Sequence, residues 1–318
     1  MKMREVDRVQ ILTLQDNYIE VTAMDNTEVV QRASPLKDME IKGSVIAEHG
    51  FSALVTVHAQ GWAGSILFDF GFSEDGAARN AELLGADIGS VEAFVLSHGH
   101  SDHTGGFRRL SALVTGPKDA IEFVCHPGVF RPRRYIKFGE EIRVNFPEFT
   151  RKPVTDEGFR LVETTKPHPL LGGHVLFLGE IPRVTDFEKG FPIAYRLSEG
   201  GEEWDPIEDD TGIAVNVRGR GLVVLTGCAH AGVVNTVLHA RRITGVDRVH
   251  AVVGGFHLSG PFFEPIIERT TDELKALQPR FVVPCHCTGR KAVMHMEREM
   301  RESFILNMSG TRLTFCAP

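Results

Sequence analysis

The sequence has few cysteines and lacks any long apolar run, and both shortages narrow the class of protein. Its five cysteines are a sparse and odd-numbered set, which argues against a disulfide framework and favours a reducing, cytoplasmic setting. No apolar run approaches the roughly 20 residues that a membrane-spanning helix needs. Residues 1–7 carry charges of both signs and no apolar core follows them, so we expect no secretory signal.

The sequence also lacks an excess of basic residues. It has 35 Lys and Arg against 42 Asp and Glu, a net charge of −7, so no basic surface is expected to recruit nucleic acid or an anionic membrane. The expected partner is a small molecule, on the grounds of the metal-ligand motif described below. The 318 residues, 42% of them apolar, can bury a large core. We expect one domain over residues 1–318, in which residues about 127–220 partly form loops over the site.

Histidines follow several buried-type strands at the point where each strand ends. These strands are predicted at residues 91–96, 222–225, 249–253 and 281–283. Helical patterns follow three of the loops, at residues 232–243, 264–277 and 290–304. Because strand–loop–helix repeats place such loops along one edge of a sheet, the sequence predicts an α/β fold with its site at the carboxyl ends of strands.

The strongest signal is the segment 97–106, SHGHSDHTGG, which directly follows the first of these strands. Imidazole and carboxylate groups are ligands that hold Zn²⁺, Fe or Mn²⁺ at neutral pH. In an extended or turning loop His98 and His100 can chelate one ion, while Asp102 and His103 can chelate a second beside it. A solvated polar loop with chance histidines is the alternative, but so dense a set of donors favours metal binding. Strand-end histidines elsewhere must then complete the two coordination shells.

This segment resembles the H-x-H-x-D-H signature of the metallo-β-lactamase superfamily. Further stretches resemble one branch of it, the group usually named 7,8-dihydropterin-6-methyl-4-(β-D-ribofuranosyl)aminobenzene 5′-phosphate synthases. They are residues 48–52 (EHGFS), 179–183 (GEIPR), 226–232 (TGCAHAG) and 254–258 (GGFHL). The resemblance covers about residues 9–315. It implies an αββα sandwich with a dinuclear metal site at one edge, which agrees with the strand-end pattern.

The resemblance also implies which distant residues complete the two metal sites. His286, in the segment PCHCTG, matches the family's last histidine on the second metal. Cys228 stands where the family carries a bridging aspartate, and it either ligates a soft ion such as Zn²⁺ or fills the core. His230 is the preferred third ligand of the first metal, with His168 and His174 as the alternatives.

Four further residues are candidates for contact with substrate. His257 ends its own strand and is either a substrate-facing acid/base or a structural hydrogen-bonding residue. His49 and Glu180 lie in the branch-specific stretches, and we expect them to bind substrate. Arg183 joins them because its guanidinium fork suits phosphate oxygens.

The remaining cysteines are expected to pack rather than react. Cys285 and Cys287 flank His286, and alternation along an extended chain predicts that both point into the core, away from that histidine. Cys125 and Cys316 are likewise expected to be buried.

The predicted function follows from the two ions. Two divalent ions, most simply Zn²⁺ with Fe or Mn as alternatives, generate hydroxide near pH 7 and polarise a phosphoryl or carbonyl oxygen. Hydrolysis of a phosphoester, ester or thioester is the default. The branch name implies instead condensation of a dihydropterin methyl diphosphate with an arylamine riboside phosphate, in which Asp102 and His257 would serve catalysis. A di-iron redox protein is disfavoured because His100 stands where such members carry a carboxylate.

Overall fold

Most of the secondary structure is β-strand. The computed structural model describes residues 3–41 and 43–318, and these carry twenty-one strands and seven α-helices. The strands are β1 (Glu5–Val6), β2 (Arg8–Gln15), β3 (Val30–Gln31), β4 (Leu36–Lys37), β5 (Glu40–Ile41), β6 (Ser52–Ala59), β7 (Trp62–Phe68), β8 (Ala93–Val95), β9 (Glu122–Cys125), β10 (Arg134–Phe138), β11 (Ile142–Asn145), β12 (Arg160–Glu163), β13 (His168–Leu170), β14 (Val175–Phe177), β15 (Ala194–Ser198), β16 (Gly201–Trp204), β17 (Gly212–Val217), β18 (Gly221–Thr226), β19 (Val249–Gly255), β20 (Phe281–Cys285) and β21 (Arg312–Cys316). The helices are α1 (Gly76–Leu84), α2 (Ser101–Thr104), α3 (Phe107–Ser111), α4 (Arg151–Asp156), α5 (Val233–Thr244), α6 (Ile267–Leu277) and α7 (Arg290–Glu299).

Most strands belong to two large sheets. One sheet has the order β12-β9-β8-β7-β6-β2-β21-β3, and the other has the order β13-β14-β17-β18-β19-β20, with β1 paired to β17. Each sheet contains a parallel part: β7, β8, β9 and β12 in the first sheet, and β18, β19 and β20 in the second. β8, β18, β19 and β20 are the strands that the histidine-bearing loops follow.

The two sheets share one apolar layer, and helices cover their outer faces. Val55 of β6 and Leu225 of β18 belong to the central layer. Their neighbours point the opposite way: Leu54 packs in the layer with α1 and α3, and Val224 packs in the layer with α5, α6 and α7. This alternation of two buried faces builds a four-layer αββα sandwich and confirms the predicted fold class.

Two predicted helices, those over residues 264–277 and 290–304, differ from the structure at their boundaries. The pattern predicted over residues 264–277 begins as a 3₁₀ turn, Glu264–Ile266, before α6. Helix α1 ends at Leu84, and Gly85 then takes a φ of 61° that glycine tolerates. Helix α7 ends at Glu299 rather than at residue 304, because the following chain turns back onto β20, where the Val282 N–H donates to the Ser303 carbonyl. No helix in the described ranges is both long and apolar enough to cross a membrane.

The region 127–220 contains a small sheet of its own. Strands β11, β10, β15 and β16 form it in that order. Phe146, which follows β11, stacks on the ring of His100 with the two centroids 4.3 Å apart. This region therefore contributes one wall to the edge where the histidine-bearing loops lie.

Candidate metal centre

The histidine-rich segment after β8 combines an extended piece with one helical turn. His100 has φ −76° and ψ 150° and immediately precedes α2, which carries Asp102 and His103. Gly99 permits this path, because a Cβ there would lie 2.5 Å from the carbonyl oxygen of Val129. The segment thus presents two histidines on its extended piece and an aspartate–histidine pair on its helical turn.

His98, His100 and His230 form a first cluster, which we call the trihistidine cluster. The Nδ1 atom of His100 lies 3.1 Å from Nε2 of His98 and 3.2 Å from Nε2 of His230. All three rings are buried, and burial lowers their pKa values, that of His100 to about 3. Three neutral imidazoles therefore converge at the end of β8 and β18.

Asp102, His103, Cys228 and His286 form a second cluster, which we call the mixed cluster. Their ligand-type atoms all lie within 4.8 Å of one another. Nε2 of His103 is 3.2 Å from Sγ of Cys228, and Nε2 of His286 is 3.1 Å from Oδ2 of Asp102. The rings of His98 and His103 have centroids 4.2 Å apart, so the two clusters adjoin.

A buried carboxylate fixes which ring nitrogens face the clusters. Asp69, directly after β7, accepts a hydrogen bond from the Ser97 hydroxyl at 2.8 Å. Because the hydroxyl proton is used in this bond, the Ser97 oxygen accepts the hydrogen bond from Nδ1–H of His98 at 2.9 Å. The same Asp69 oxygen accepts Nδ1–H of His103 at 2.6 Å. Each of these histidines therefore turns its Nε2 atom towards its cluster.

Asn17 fixes His286 in the same way. Its Nδ2 donates to the His286 carbonyl at 3.1 Å, so its Oδ1 accepts Nδ1–H of His286, also at 3.1 Å. Nδ2 lies 3.1 Å from Nδ1 of His49, whose Nε2 is 3.4 Å from Oδ2 of Asp102. Buried Asp16 accepts the His286 N–H at 2.8 Å and holds this residue at a φ of 46°.

The donors of both clusters fit metal ions. In the trihistidine cluster the nitrogen separations of 3.1 and 3.2 Å are close to the roughly 3.3 Å expected between ligands of tetrahedral Zn²⁺ with bonds of about 2.0–2.1 Å. In the mixed cluster the lone pair of His286 faces the Asp102 carboxylate, an arrangement that repels unless positive charge lies between them. Burial opposes charge on His103, yet the carboxylates of Asp69 and Asp102 raise its pKa to about 9, so a metal ion that binds Nε2 must displace a proton from it.

Asp69, Asp16 and Asn17 are functional candidates that the sequence analysis missed. Each follows the end of a buried strand: Asp69 follows β7, and Asp16 and Asn17 follow β2. The signal that could have found them is the strand-end position that selected the histidines, applied also to carboxylates and amides.

Two predicted substrate-binding residues lie outside both clusters. The Glu180 side chain is 54% exposed, and its carboxylate is 3.5 Å from Nε2 of the buried His126. The Arg183 guanidinium donates to the carbonyls of Pro206 and, at 3.5 Å, of His230. Arg183 therefore supports the loop that carries His230.

The two alternative ligands of the first metal lie elsewhere. Nε2 of His168 pairs with the Glu122 carboxylate at 3.0 Å. The His174 ring stacks on Trp62 with centroids 5.4 Å apart. Neither belongs to a donor cluster among the described residues, whereas His230 does.

Cys287 is buried, as predicted, but the extended chain from which its direction was inferred is not present. The chain leaves the extended conformation at His286 and enters a 3₁₀ turn, His286–Thr288, so alternation does not apply. The buried Cys287 thiol lies 3.6 Å from the carbonyl oxygen of Cys228, beside the mixed cluster. Cys285 packs in the central apolar layer, as predicted. Cys316 is exposed rather than buried, at the end of the last strand.

A cavity of about 470 Å³ adjoins the clusters at His230 and His257. Its aromatic walls are Phe187, Trp204, Phe256, Phe262 and Phe263. The His257 ring centroid lies 4.2 Å from that of His230 and 4.6 Å from that of Phe263. His257 also groups with Cys228 and His230 within 4.8 Å, so it lies between the donor clusters and the cavity. A larger groove, of about 1660 Å³, is lined by none of the cluster residues.

Sequence comparisons find relatives along the whole chain. The family model described as "Metallo-beta-lactamase superfamily" matches residues 49–286. The chain is 31% identical over 322 residues to the 7,8-dihydropterin-6-methyl-4-(beta-D-ribofuranosyl)-aminobenzene-5'-phosphate synthase of Methanocaldococcus jannaschii, covering 99% of each protein. It is 27% identical over 259 residues to an uncharacterized protein of the same archaeon, covering 79% of this chain and 88% of the relative.

Solved structures resemble the fold over almost its full length. Tm1679, a metal-dependent hydrolase of the β-lactamase superfamily, matches with a TM-score of 0.69 at 25% identity, covering 97% of this chain and all of that one. YhfI from Bacillus subtilis shares the fold with a TM-score of 0.52 at 11% identity, covering 97% and 100% of the two chains. Both the match of the family model and the full-length relative show that the chain belongs to the metallo-β-lactamase superfamily.

Proposed function

We propose that this protein is a dinuclear-metal enzyme acting on a small molecule that carries a phosphate or diphosphate. The observation that carries the proposal is the pair of adjoining donor sets: His98, His100 and His230, and Asp102, His103, Cys228 and His286. Divalent ions bound there would polarise a phosphoryl oxygen and stabilise the charge that develops on a departing diphosphate. The Cys228 thiol and the many imidazoles favour Zn²⁺ over Mg²⁺ or Ca²⁺.

The reaction we propose is condensation of a dihydropterin methyl diphosphate with an arylamine riboside phosphate. The full-length relative with 31% identity bears the name of such a synthase, which supports this choice. In the reaction the amine nitrogen bonds to the methylene carbon, and the C–O bond to the diphosphate breaks with its electron pair on the leaving oxygen. The nitrogen must also lose a proton.

His257 is the residue that we propose accepts this proton. Its Nδ1 atom is buried and has no hydrogen-bond partner among the described residues. The ring stands between the cavity and the ligand candidates Cys228 and His230, so a nucleophile in the cavity would meet it beside the departing diphosphate. The role of Asp102 is to supply a carboxylate to the second ion, with His49 beside its Oδ2 at 3.4 Å.

Hydrolysis of a phosphoester, ester or thioester is the second candidate. Tm1679, which matches at 25% identity with a TM-score of 0.69, is described as a metal-dependent hydrolase. In that reaction water would take the place of the amine, and the same donor clusters would serve.

The test is a product assay with metal-loaded protein. The substrates are 6-hydroxymethyl-7,8-dihydropterin diphosphate and 4-(β-D-ribofuranosyl)aminobenzene 5′-phosphate. Condensation predicts a coupled product, seen by mass spectrometry, and one diphosphate released per product only when both substrates are present. Diphosphate release at the same rate without the arylamine would establish hydrolysis instead. The proposed function would be refuted if metal-loaded protein turned over neither these substrates nor common phosphoester substrates.

A further inference from the structure

The cavity beside His257 has features that distinguish between the two proposed substrates. We propose that it binds the arylamine, with the benzene ring between the aromatic walls, the amine at the His257 end and the anionic substituent at the mouth near Lys189. The proposal rests on the proposed function for the identity of the ligand, and on the cavity alone for the location.

The walls of the cavity form a slot that suits a flat ring. Phe256 and Phe263 are buried, whereas Trp204 and Phe262 are 41% and 46% exposed and mark the side that opens to solvent. The Trp204 indole is held in place, because its Nε1–H donates to the Phe191 carbonyl at 2.9 Å. Aromatic walls gain stacking energy from a planar ligand, and a volume of about 470 Å³ holds one ring with its substituents.

Among the described residues that line the cavity, the one carboxylate, Glu188, is already engaged. Glu188 accepts the N–H groups of Val234 at 2.9 Å and Asn235 at 2.8 Å, and thereby caps the first turn of α5. Gly232 makes room for it, since a Cβ there would lie 2.2 Å from the carboxyl group. A pterin ring presents several N–H groups that would lose hydrogen bonds to water here, while a benzene ring loses none.

Two buried ring nitrogens at the inner end of the cavity can bind a polar group of a ligand. The Nδ1 atoms of His230 and His257 are buried and have no hydrogen-bond partner among the described residues. A ligand that carries one nitrogen at one end of a ring can place it beside them. This is the arrangement that an arylamine offers.

The mouth of the cavity carries an exposed cation. Lys189 lines the cavity and its side chain reaches solvent. A para-substituted arylamine points its second substituent away from the amine, so an anionic group there would lie on the Lys189 side. The ligand class is thus an arylamine with an anionic group opposite the nitrogen.

The test uses Trp204 as its reporter. The chain has two tryptophans, and the other, Trp62, lies on β7 against His174, so Trp62→Phe leaves one indole at the cavity. Metal-loaded Trp62→Phe protein is titrated with 4-aminobenzylphosphonate, which should quench the fluorescence saturably. In this background Phe262→Ala should weaken binding about 10-fold, and Lys189→Ala about 3-fold. Phe138→Ala removes an aromatic side chain of similar exposure outside the cavity and should leave binding unchanged.

Three outcomes would overturn the assignment. The first is that Phe262→Ala binds the phosphonate as tightly as its parent, which would place the ligand elsewhere, for example on the metal ions. The second is that benzylphosphonate, which lacks the amine, binds equally well. The third is that 6-hydroxymethylpterin, measured by calorimetry, binds more tightly and depends on Phe262.

Failure of this assignment is separable from failure of the proposed function. Binding that depends on Phe262 without any condensation would support the arylamine site and refute the reaction. Condensation in which Phe262→Ala leaves the KM for the arylamine unchanged would support the reaction and refute the site.

Discussion

The trihistidine cluster and the mixed cluster differ in what holds their side chains in place. In the mixed cluster, His103 and His286 are hydrogen-bonded from behind by Asp69 and Asn17. In the trihistidine cluster, Nε2 of His100 and Nδ1 of His230 have no hydrogen-bond partner in the described part of the chain. Their rings are positioned by packing instead, as in the stack of His100 on Phe146.

Because of this difference, substitutions near the two clusters should change metal binding differently. Hydrogen bonds behind a ligand fix its tautomer and raise its basicity, so their loss weakens the metal that this ligand holds. The carboxylate of Asp102 also gives the mixed cluster a negative charge that the three neutral imidazoles lack. A substitution of Asn17 should therefore act on the ion of the mixed cluster alone. A substitution of Asp69 should act mainly on that ion, because Asp69 contacts His103 directly and reaches His98 only through Ser97.

The largest effect is expected for Asp102→Ala. The substitution removes the only carboxylate among the two described donor sets, and turnover should be abolished. The fold should stay intact, because the side chain contacts His49, His103 and His286 and belongs to none of the described apolar clusters. Steady-state assays and circular dichroism check the two parts. Asp119→Ala, at an exposed aspartate on a distant turn, is the matched control and should keep full activity. An active Asp102→Ala enzyme would remove the second ion from the mechanism.

His257→Ala should have the next largest effect. Because His257 is a proton acceptor rather than a ligand in this account, both metals should stay bound and kcat should fall about 10² to 10⁴-fold, the usual contribution of a positioned base. Metal content and kcat are measured on the same sample. Loss of one metal equivalent would instead make His257 a ligand, as its grouping with Cys228 and His230 permits.

Asp69→Asn tests whether the two clusters lose metal affinity to different extents. Because the Ser97 N–H donates to Oδ1 of Asp69 at 2.7 Å, an asparagine would keep its oxygen at that position and turn its NH2 group towards His103. That NH2 group cannot accept Nδ1–H of His103, so this ring should switch tautomer and turn an N–H towards Cys228. Affinity for one ion should fall about 10 to 100-fold. Competition with a chromophoric chelator measures the affinity for each of the two ions separately. The ion of the trihistidine cluster, which should be affected less, is the internal control. Equal weakening of the binding of both ions would contradict the expected difference between the clusters. It would indicate that Asp69 acts on His98 through Ser97 as strongly as it acts on His103.

Asn17→Ala should have the smallest effect of the series. The bond from His286 to the Asn17 amide is neutral, and such bonds are weaker than the charged bond to Asp69. We expect one ion to bind several-fold more weakly, by less than in Asp69→Asn, in the same chelator competition. Asn145→Ala, at an exposed asparagine of β11, is the control. A larger loss than in Asp69→Asn would reverse the ranking.

Several parts of the site could be predicted because sequence spacing carries them. His98, His100, Asp102 and His103 lie within one short segment, and strand ends pointed to His230. The strand-end position of the supporting residues Asp69, Asp16 and Asn17 was open to the same reasoning, but which histidine each one holds was not, since that depends on hydrogen bonds across elements far apart in sequence. Asn17 and His286 are one such pair, separated by 269 positions.

Backbone conformation explains why alternation does not give the direction of Cys287. The prediction assumed an extended chain, and the φ of 46° at His286 breaks the alternation on which it depended. The predicted C-terminal end of α7 was wrong for a related reason. Backbone hydrogen bonds to β20 end the helix at Glu299, although its sequence pattern continues.

We expect each chain to bind two metal ions, one in each cluster. Elemental analysis of anaerobically purified, active protein, combined with anomalous scattering from its crystals, tests this most directly. We expect close to two equivalents per chain, with one peak among His98, His100 and His230 and the other among Asp102, His103 and His286. One equivalent or none in protein shown to be active, or a peak at only one cluster, would contradict it.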